Sequence, residues 1–440
     1  MKLLLINSPV RLDAKPNCIP YGLATIASVV RNLGHDVEIY DINAFRHGRK
    51  EIVSYLSGKT WDAVGVSGLI TTFAFQEWLI PELKKINPKA PVISGGGLAT
   101  SNSNLLFKNT PLDIAVAGEG EETLPLLLDA TRAGGDLKTI RGVSYRTKEG
   151  NVVRNPPSQN IRHLDPLPHP AWDLLPTDIY LKNPIWGGSA NNSSGFRTDI
   201  PVRRSMNVIS SRGCPFSCTY CYHLFGRGSY RFRSAESMVN EIETLIERYD
   251  VDFIGFVDDN MMAGEERLYE FCRMMIAKRL PVAWGCHGRV SSATPGVLEK
   301  MARAGCVWIG YGIESGSQKI LDAMKKKTTV SQALMAITET RKAGIFPNTT
   351  FIFGYPGETR DTIQETIDFK LQASLECGSF FATPYPGTPL YASVSHLIAD
   401  EEAFIRSLGD ATQFTINLTP FATEDLFELK RNMDANIPVI

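Results

Sequence analysis

The chain has 440 residues, of which 43% are hydrophobic and 21% charged, with a formal net charge of -1. That apolar share fits two to three globular domains, and the near-neutral balance excludes a global basic field for nucleic acid. Eight cysteines are present; Cys18, Cys272, Cys286, Cys306 and Cys377 are scattered without pairing signals, which fits a reducing cytoplasm and not a disulfide framework. No apolar run reaches the length of a membrane span. The opening Met1–Ile6 run is too short for a signal peptide and reads as a buried strand, while Lys325-Lys326-Lys327 reads as a solvated helix end.

From Met1 to about Ala133 short apolar runs alternate with helical patterns. Strands are expected at Lys2–Pro9, His35–Asp41, Asp62–Gly68, Pro91–Gly97 and Asp113–Gly118. Helices are expected at Gly22–Leu33, Arg49–Ser57, Phe73–Ile86 and Glu122–Arg132. This alternation implies a doubly wound parallel sheet of the Rossmann or flavodoxin-like kind. Its ligands bind at the carboxyl ends of the strands, near the switch point. The loops there carry Ser67, Gly68, Thr71 and Thr72, the triplet Gly95, Gly96 and Gly97, and Gly118-Glu119-Gly120-Glu121. Glycine lets a backbone approach a flat ligand, and the hydroxyls can donate hydrogen bonds. A dinucleotide fold is weakened by the first loop, Asn7-Ser8-Pro9-Val10-Arg11, which holds no G-x-G-x-x-G.

Residues 134–205 read as a linker. Arg141–Thr147 and Val152–Arg154 form a hairpin on this reading, followed by the proline-rich Pro156-Pro157 and Asp165–Pro170, suited to an extended connector. His163 and His169 are connector residues. Gly187–Gly195 is expected to be a flexible loop or a lid.

The most informative stretch is Cys214-Pro215-Phe216-Ser217-Cys218-Thr219-Tyr220-Cys221, fed by the strand pattern Met206–Gly213. Three thiolates on one loop can hold three irons of a [4Fe–4S] cube, leaving the fourth iron open to a small molecule. A zinc knuckle is the bland alternative; zinc wants four ligands, His223 is the nearest fourth, and no second ligand pair follows. Five further strand–helix units run to about Ser393. Their strands are expected at Asp252–Asp258, Val282–Gly288, Val307–Ile313, Thr349–Gly354 and Ser379–Thr383. The helices are expected at Glu236–Tyr249, Glu266–Lys278, Pro295–Ala304, Val330–Ala343 and Asp361–Ala373. Six units make an open partial (β/α)6 barrel over 206–393, with its site at the carboxyl strand ends. The tail, 394–440, reads as helix, a break at Pro420, and a helix over Thr423–Met433.

The cysteine spacing resembles the signature of the radical S-adenosylmethionine (SAM) enzymes. The resemblance implies that Cys214, Cys218 and Cys221 hold the cluster and that the open iron chelates SAM, which is cleaved to a 5′-deoxyadenosyl radical. Tyr220 stands where the family has an aromatic residue next to the adenine. At the strand ends, Asp258 is the choice for the SAM ammonium, as a charge-assisted pair, with Asp259 and Asn260 read as a helix cap. Arg289 suits the SAM carboxylate, although a structural ion pair explains it equally well. Glu314, in Gly312-Ile313-Glu314-Ser315-Gly316, resembles the ribose-contacting segment. Gly354 lies in a stretch similar to the region near the adenine, with Thr349 in place of that region's first glycine. There Glu358 orients the loop or caps the next helix.

Upstream, Pro20-Tyr21-Gly22-Leu23-Ala24, the Ser67–Thr72 loop, the triple glycine and Gly118–Glu121 resemble the cobalamin-binding domain that precedes many radical SAM domains. Ser67, Thr71, Thr72, Gly95, Gly96, Gly97, Gly118 and Gly120 are its implied cobalamin contacts. The Asp-x-His-x-x-Gly of many cobalamin domains is absent, so cobalt would have no histidine from the first loop. The segment Thr383–Leu390 also looks like this family and the related methylthiotransferases.

The resemblance covers the chain up to about Tyr391. It implies a cobalamin-dependent radical SAM enzyme that takes hydrogen from an unactivated carbon of a small molecule and transfers a methyl group. It needs an external one-electron reductant of flavodoxin or ferredoxin type. The rivals are a cyclase or rearrangement enzyme, with or without cobalamin, and a corrinoid- or nucleotide-binding sensor. A tRNA methylthiotransferase would need three further cysteines in the first domain, where only Cys18 lies.

Overall fold

The structure is a computed structural model and describes residues 1–183 and 202–439; the Gly187–Gly195 stretch lies outside them. The described chain forms two compact units, Met1–Tyr180 with Ile398–Gly409, and Leu181–Leu397 with Asp410–Ile440.

The first unit is built on one seven-stranded sheet. Its strands are β1 (Lys2–Asn7), β2 (Asp36–Asp41), β3 (Ala63–Ser67), β4 (Val92–Gly95), β5 (Ile114–Val116), β6 (Val143–Arg146) and β7 (Val152–Arg154). The order is β2-β1-β3-β4-β5-β6-β7. The first five run parallel, the flavodoxin-like arrangement whose switch point falls between β1 and β3. Leu3, Leu4, Leu5 and Ile6 are all buried, as a strand covered by helices on both faces requires.

Two features differ from the expectation. The hairpin β6–β7 is not part of a connector; it continues the sheet by antiparallel pairing with β5. The tail is divided too, because its helix Glu401–Ser407 belongs to the first unit, where Arg406 pairs with Glu77 at 2.8 Å. A further helix, Gly96–Asn109, fills the gap between β4 and β5, where the triple glycine reads as loop. Glycine and the run Thr100–Asn104 are weak helix formers. The helix holds because Leu98, Ala99, Leu106 and Phe107 are buried. It is kinked at Asn102 (φ -141°, ψ 38°), beside Thr100 and Ser101, whose hydroxyls bond back to the carbonyls of Gly96 and Gly97.

The second unit carries the parallel strands β8 (Ser205–Val208), β11 (Phe253–Phe256), β12 (Ala283–Gly288), β13 (Cys306–Glu314), β14 (Phe346–Phe353) and β15 (Ser379–Phe381). They lie side by side in chain order, an open half-barrel of six strand–helix units. Between β8 and β11 a short antiparallel ribbon, β9 (Ser211–Gly213) and β10 (Tyr230–Phe232), interrupts the expected first strand. The helices follow their caps. Ser234, Thr294, Thr329 and Thr359 each accept an amide of the first turn. The last helix, Thr423–Asp434, is anchored by the buried Lys370 ammonium, which donates to the Met433 carbonyl at 2.6 Å and the Asp434 carbonyl at 3.1 Å.

Candidate active site

The ribbon β9–β10 closes the base of the cysteine loop. Gly213 has φ +82°, and a Cβ there would stand 2.2 Å from the Ser229 carbonyl oxygen, so only glycine lets the loop leave the ribbon. Arg227 then spans the loop from outside, donating to the carbonyls of Ser217, Cys218 and Cys221. Thr219 anchors it from inside. Its amide and hydroxyl both donate to the Met324 carbonyl at 3.0 Å, its hydroxyl lies 2.7 Å from the Tyr355 hydroxyl, and its carbonyl accepts from Leu390.

The three thiols are free; Cys218 is buried, while Cys214 and Cys221 are half-buried. Among the described residues no three His, Cys, Asp or Glu side chains converge on a single ion position. A cube gives each thiolate its own iron and needs no such convergence. Burial, with Asp259 and the other two thiols adding, pushes the Cys221 thiol up to about 12. Burial also raises the Cys214 thiol. Thiols in this state are stabilised as thiolates by bound cations, and the donor set fits an iron–sulfur cluster.

Around the loop the strand ends supply charge. Arg289 follows β12 and is buried, with Nη1 3.8 Å from the Cys218 sulfur and its guanidinium carbon 3.8 Å from the Phe216 ring centre. Its Nε and Nη2 have no partner among the described residues, so a planar acceptor fits against it. Among the described residues Arg289 forms no ion pair.

Asp258 bonds its own fold at the end of β11. It is 2% exposed, and its carboxylate accepts the Ser210 amide (3.0 Å), the Ser210 hydroxyl (2.8 Å) and the Ser211 hydroxyl. Arg267 backs the same residue, donating to the Ser210 hydroxyl at 2.9 Å. Those bonds pin the end of β8 to the end of β11; three of them fall on Oδ1, while Oδ2 shares only the Ser210 amide, at 3.1 Å. Asp259 is the open carboxylate. It has an exposed surface and no hydrogen-bond partner among the described residues. Yet it stands deep enough between the strand ends that desolvation, and then the Asp258 charge, raise its pKa. The charge it contributes at Cys214 and Cys221 places it beside the cysteine loop. Asn260 is 2% exposed, and neither side-chain amide atom has a partner among the described residues. Neither residue caps a helix, since the next one begins at Glu265 behind Gly264.

At the end of β13, Glu314 adopts φ +70° beyond a register shift between Gly312 and Glu314. Its Oε1 accepts from the Tyr220 hydroxyl at 2.8 Å and from the Lys326 ammonium at 2.8 Å, and Lys326 also reaches the Tyr220 hydroxyl at 3.0 Å. Lys326 is buried, not part of a solvated helix end. Gly354, at φ +81°, follows β14 with open space beside its α-carbon. Its amide is taken by Glu358 at 2.7 Å, whose carboxyl burial pushes up to about 8. Glu358 orients the loop, while Thr359 caps the helix.

In the first unit, the turns after β3 and β4 meet backbone to backbone. Leu98 donates its amide to the Gly68 carbonyl at 3.0 Å. At Gly96 (φ +81°) a Cβ would stand 3.0 Å from that oxygen and 3.1 Å from the Ser67 Oγ. Beside them Gly95 faces open space, Leu69 is 53% exposed and Thr71 is half-buried. An apolar, glycine-lined platform at a switch point fits the face of a macrocycle. Thr72 is buried, its hydroxyl donating to the Leu69 carbonyl at 2.8 Å within a network that includes Gln76 and Ser94. Gly118 and Gly120 are small for packing, since a Cβ would stand 2.9 Å from the Ser158 Oγ at the first and 2.9 Å from the Ile26 Cδ1 at the second.

With this geometry in place, the comparisons with known proteins define a class. Residues 7–128 match the B12 binding domain and residues 208–369 the radical SAM superfamily. An uncharacterized methyltransferase of Pyrococcus horikoshii is 32% identical over 409 residues, 90% of this chain and 84% of the relative. The anaerobic magnesium-protoporphyrin IX monomethyl ester cyclase of Rubrivivax gelatinosus is 28% identical over 75% of this chain, but only 58% of its own length is spanned. Among solved structures, the radical SAM methyltransferase TsrM of Kitasatospora setae, with cobalamin and a [4Fe–4S] cluster bound, matches the fold with a TM-score of 0.71. The identity is 21%, over 90% of this chain and 75% of that one. The chain belongs to the cobalamin-binding radical SAM enzymes, and the family's cofactors come with that membership: the cluster, SAM and cobalamin.

Proposed function

We propose that the protein is a cobalamin-dependent radical SAM methyltransferase acting on a small molecule. The observation that carries this reading is the pairing of an open three-cysteine loop with a glycine-lined switch point in one chain. When bound, the cluster supplies the electron that cleaves SAM, and cobalamin carries the methyl group.

In this reading Cys214, Cys218 and Cys221 ligate three irons. Asp259 takes the SAM ammonium rather than its neighbour Asp258, because it is the more exposed carboxylate and has no hydrogen-bond partner among the described residues. Arg289 offers its unpaired Nε and Nη2 to the SAM carboxylate. Glu314 presents its remaining oxygen to the ribose, and the open side of Gly354 admits the adenine, with Tyr220 beside it. Ser67, Thr71, Gly95, Gly96 and Gly97 form the cobalamin platform. No helix of the described residues is long and apolar enough to cross a membrane. The free cysteines support a reducing cytoplasm, where a flavodoxin- or ferredoxin-type protein would deliver the electron.

The products of SAM test the reading. Cobalamin-loaded, anaerobically reconstituted enzyme, given a low-potential reductant and SAM, is expected to yield both 5′-deoxyadenosine and S-adenosylhomocysteine, the second recording methyl loss. 5′-Deoxyadenosine without S-adenosylhomocysteine would favour the cyclase reading, which the matches to cyclases keep in view. Neither product would contradict both.

A further inference from the structure

Lys326 lies outside every motif the sequence offers, yet it is among the most constrained residues of the second unit. Its side chain is 9% exposed and its ammonium faces the Glu314 carboxylate at 2.8 Å. Both neighbours in sequence, Lys325 (φ +51°) and Lys327 (φ +55°), are in the left-handed region, a costly backbone that persists where the surroundings hold it in place. The preceding Met324 carbonyl receives both bonds from Thr219, so this segment is docked on the cysteine loop. The triad also accounts for Gly312. A Cβ there would stand 2.2 Å from the Glu314 Oε1 and 3.2 Å from the Lys326 Nζ.

We propose that Lys326 is a positioning residue for SAM: it ties Tyr220 of the cysteine loop to Glu314 of β13 and so fixes the glutamate oxygen that meets the ribose. The inference rests on the reading of Glu314 given above. A carboxylate this deeply buried needs a countercharge, and Lys326 is the cation that meets it. Because the ammonium and the Tyr220 hydroxyl both use Oε1, Oε2 is left as the acceptor for a vicinal diol. The same ammonium orients the residue immediately before Cys221, which couples the nucleoside pocket to the cluster loop.

The test uses full-length, reconstituted enzyme. SAM is titrated against the reduced cluster and followed by its electron paramagnetic resonance spectrum, in parallel with an analogue lacking both ribose hydroxyls. Lys326→Met is expected to keep four irons per chain, to bind SAM roughly tenfold more weakly, and to lose the preference for SAM over the analogue; Lys326→Arg should restore part of both. A Lys326→Met protein with wild-type iron, affinity and preference overturns the inference alone. If Lys326→Met loses the cluster, Gly312→Ala, which displaces the triad without removing a charge, decides. Weakened, indiscriminate SAM binding supports the role, and wild-type binding overturns it. A wild-type spectrum that ignores SAM overturns the reading of the site and the inference with it.

Discussion

Replacing Cys218 by alanine is expected to abolish SAM cleavage, leaving 5′-deoxyadenosine at the level of an enzyme-free control. Of the three loop thiols it is the buried one, and Arg289 Nη1 approaches its sulfur at 3.8 Å. Without it one iron of the cube has no protein ligand, and the small cavity left in the loop offers no replacement donor. The control is Cys272→Ala, also a buried thiol but on the helix Glu265–Lys278, outside the site. That change should cost about 1 kcal/mol of stability for a lost buried group and leave cleavage intact. Retained cleavage in Cys218→Ala would remove the thiol from the cluster; lost cleavage in both would show only that the unit is fragile. Iron analysis of the two proteins separates those cases.

The second large effect divides two adjacent carboxylates. Asp259→Asn is expected to weaken SAM binding roughly tenfold to a hundredfold, the equivalent of the ~1.5–3 kcal/mol of a hydrogen bond between charged groups. The denaturation midpoint should hold or rise, because no group among the described residues bonds that side chain and its charge is disfavoured by burial and by Asp258. Asp258→Asn should behave in the opposite way. An asparagine removes the charge that strengthens the three bonds to Oδ1 and puts an NH2 where Oδ2 accepts the Ser210 amide, so about 3 kcal/mol of stability is at stake. SAM affinity, measured on the protein that remains folded, should change less. SAM titration and denaturant unfolding of both variants check this; a large SAM defect in Asp258→Asn with a silent Asp259→Asn would place the SAM ammonium on Asp258.

That pair shows where the sequence stops being legible. Asp258-Asp259-Asn260 places acids at the end of β11, but which one turns inward depends on Ser210 and Ser211, residues 48 and 47 positions away in the chain. Lys326 is hidden for a related reason: in sequence it is the middle of three lysines, and only the fold buries one of them against Glu314. Regular elements are written in the local sequence. The helix Phe73–Ile86 is found at its expected limits, and the six barrel strands lie within a few residues of their apolar runs, because strand–helix alternation is written in local periodicity. The helix Gly96–Asn109 is not legible because its first turn is glycine and its middle is Thr, Ser and Asn, so its helicity comes from tertiary burial. The β9–β10 ribbon escaped because each strand is only three residues long and shows no period. The cysteines were legible at once, since their chemistry lies in their spacing.

The most direct measurement is metal content. The chain, reconstituted anaerobically with iron, sulfide and hydroxocobalamin and then freed of excess, should carry four irons and one cobalt, with the visible spectrum of both chromophores. Four irons without cobalt would contradict the glycine platform of the first unit as a cobalamin site. Protein shown to be folded but devoid of iron would contradict the central claim about Cys214, Cys218 and Cys221.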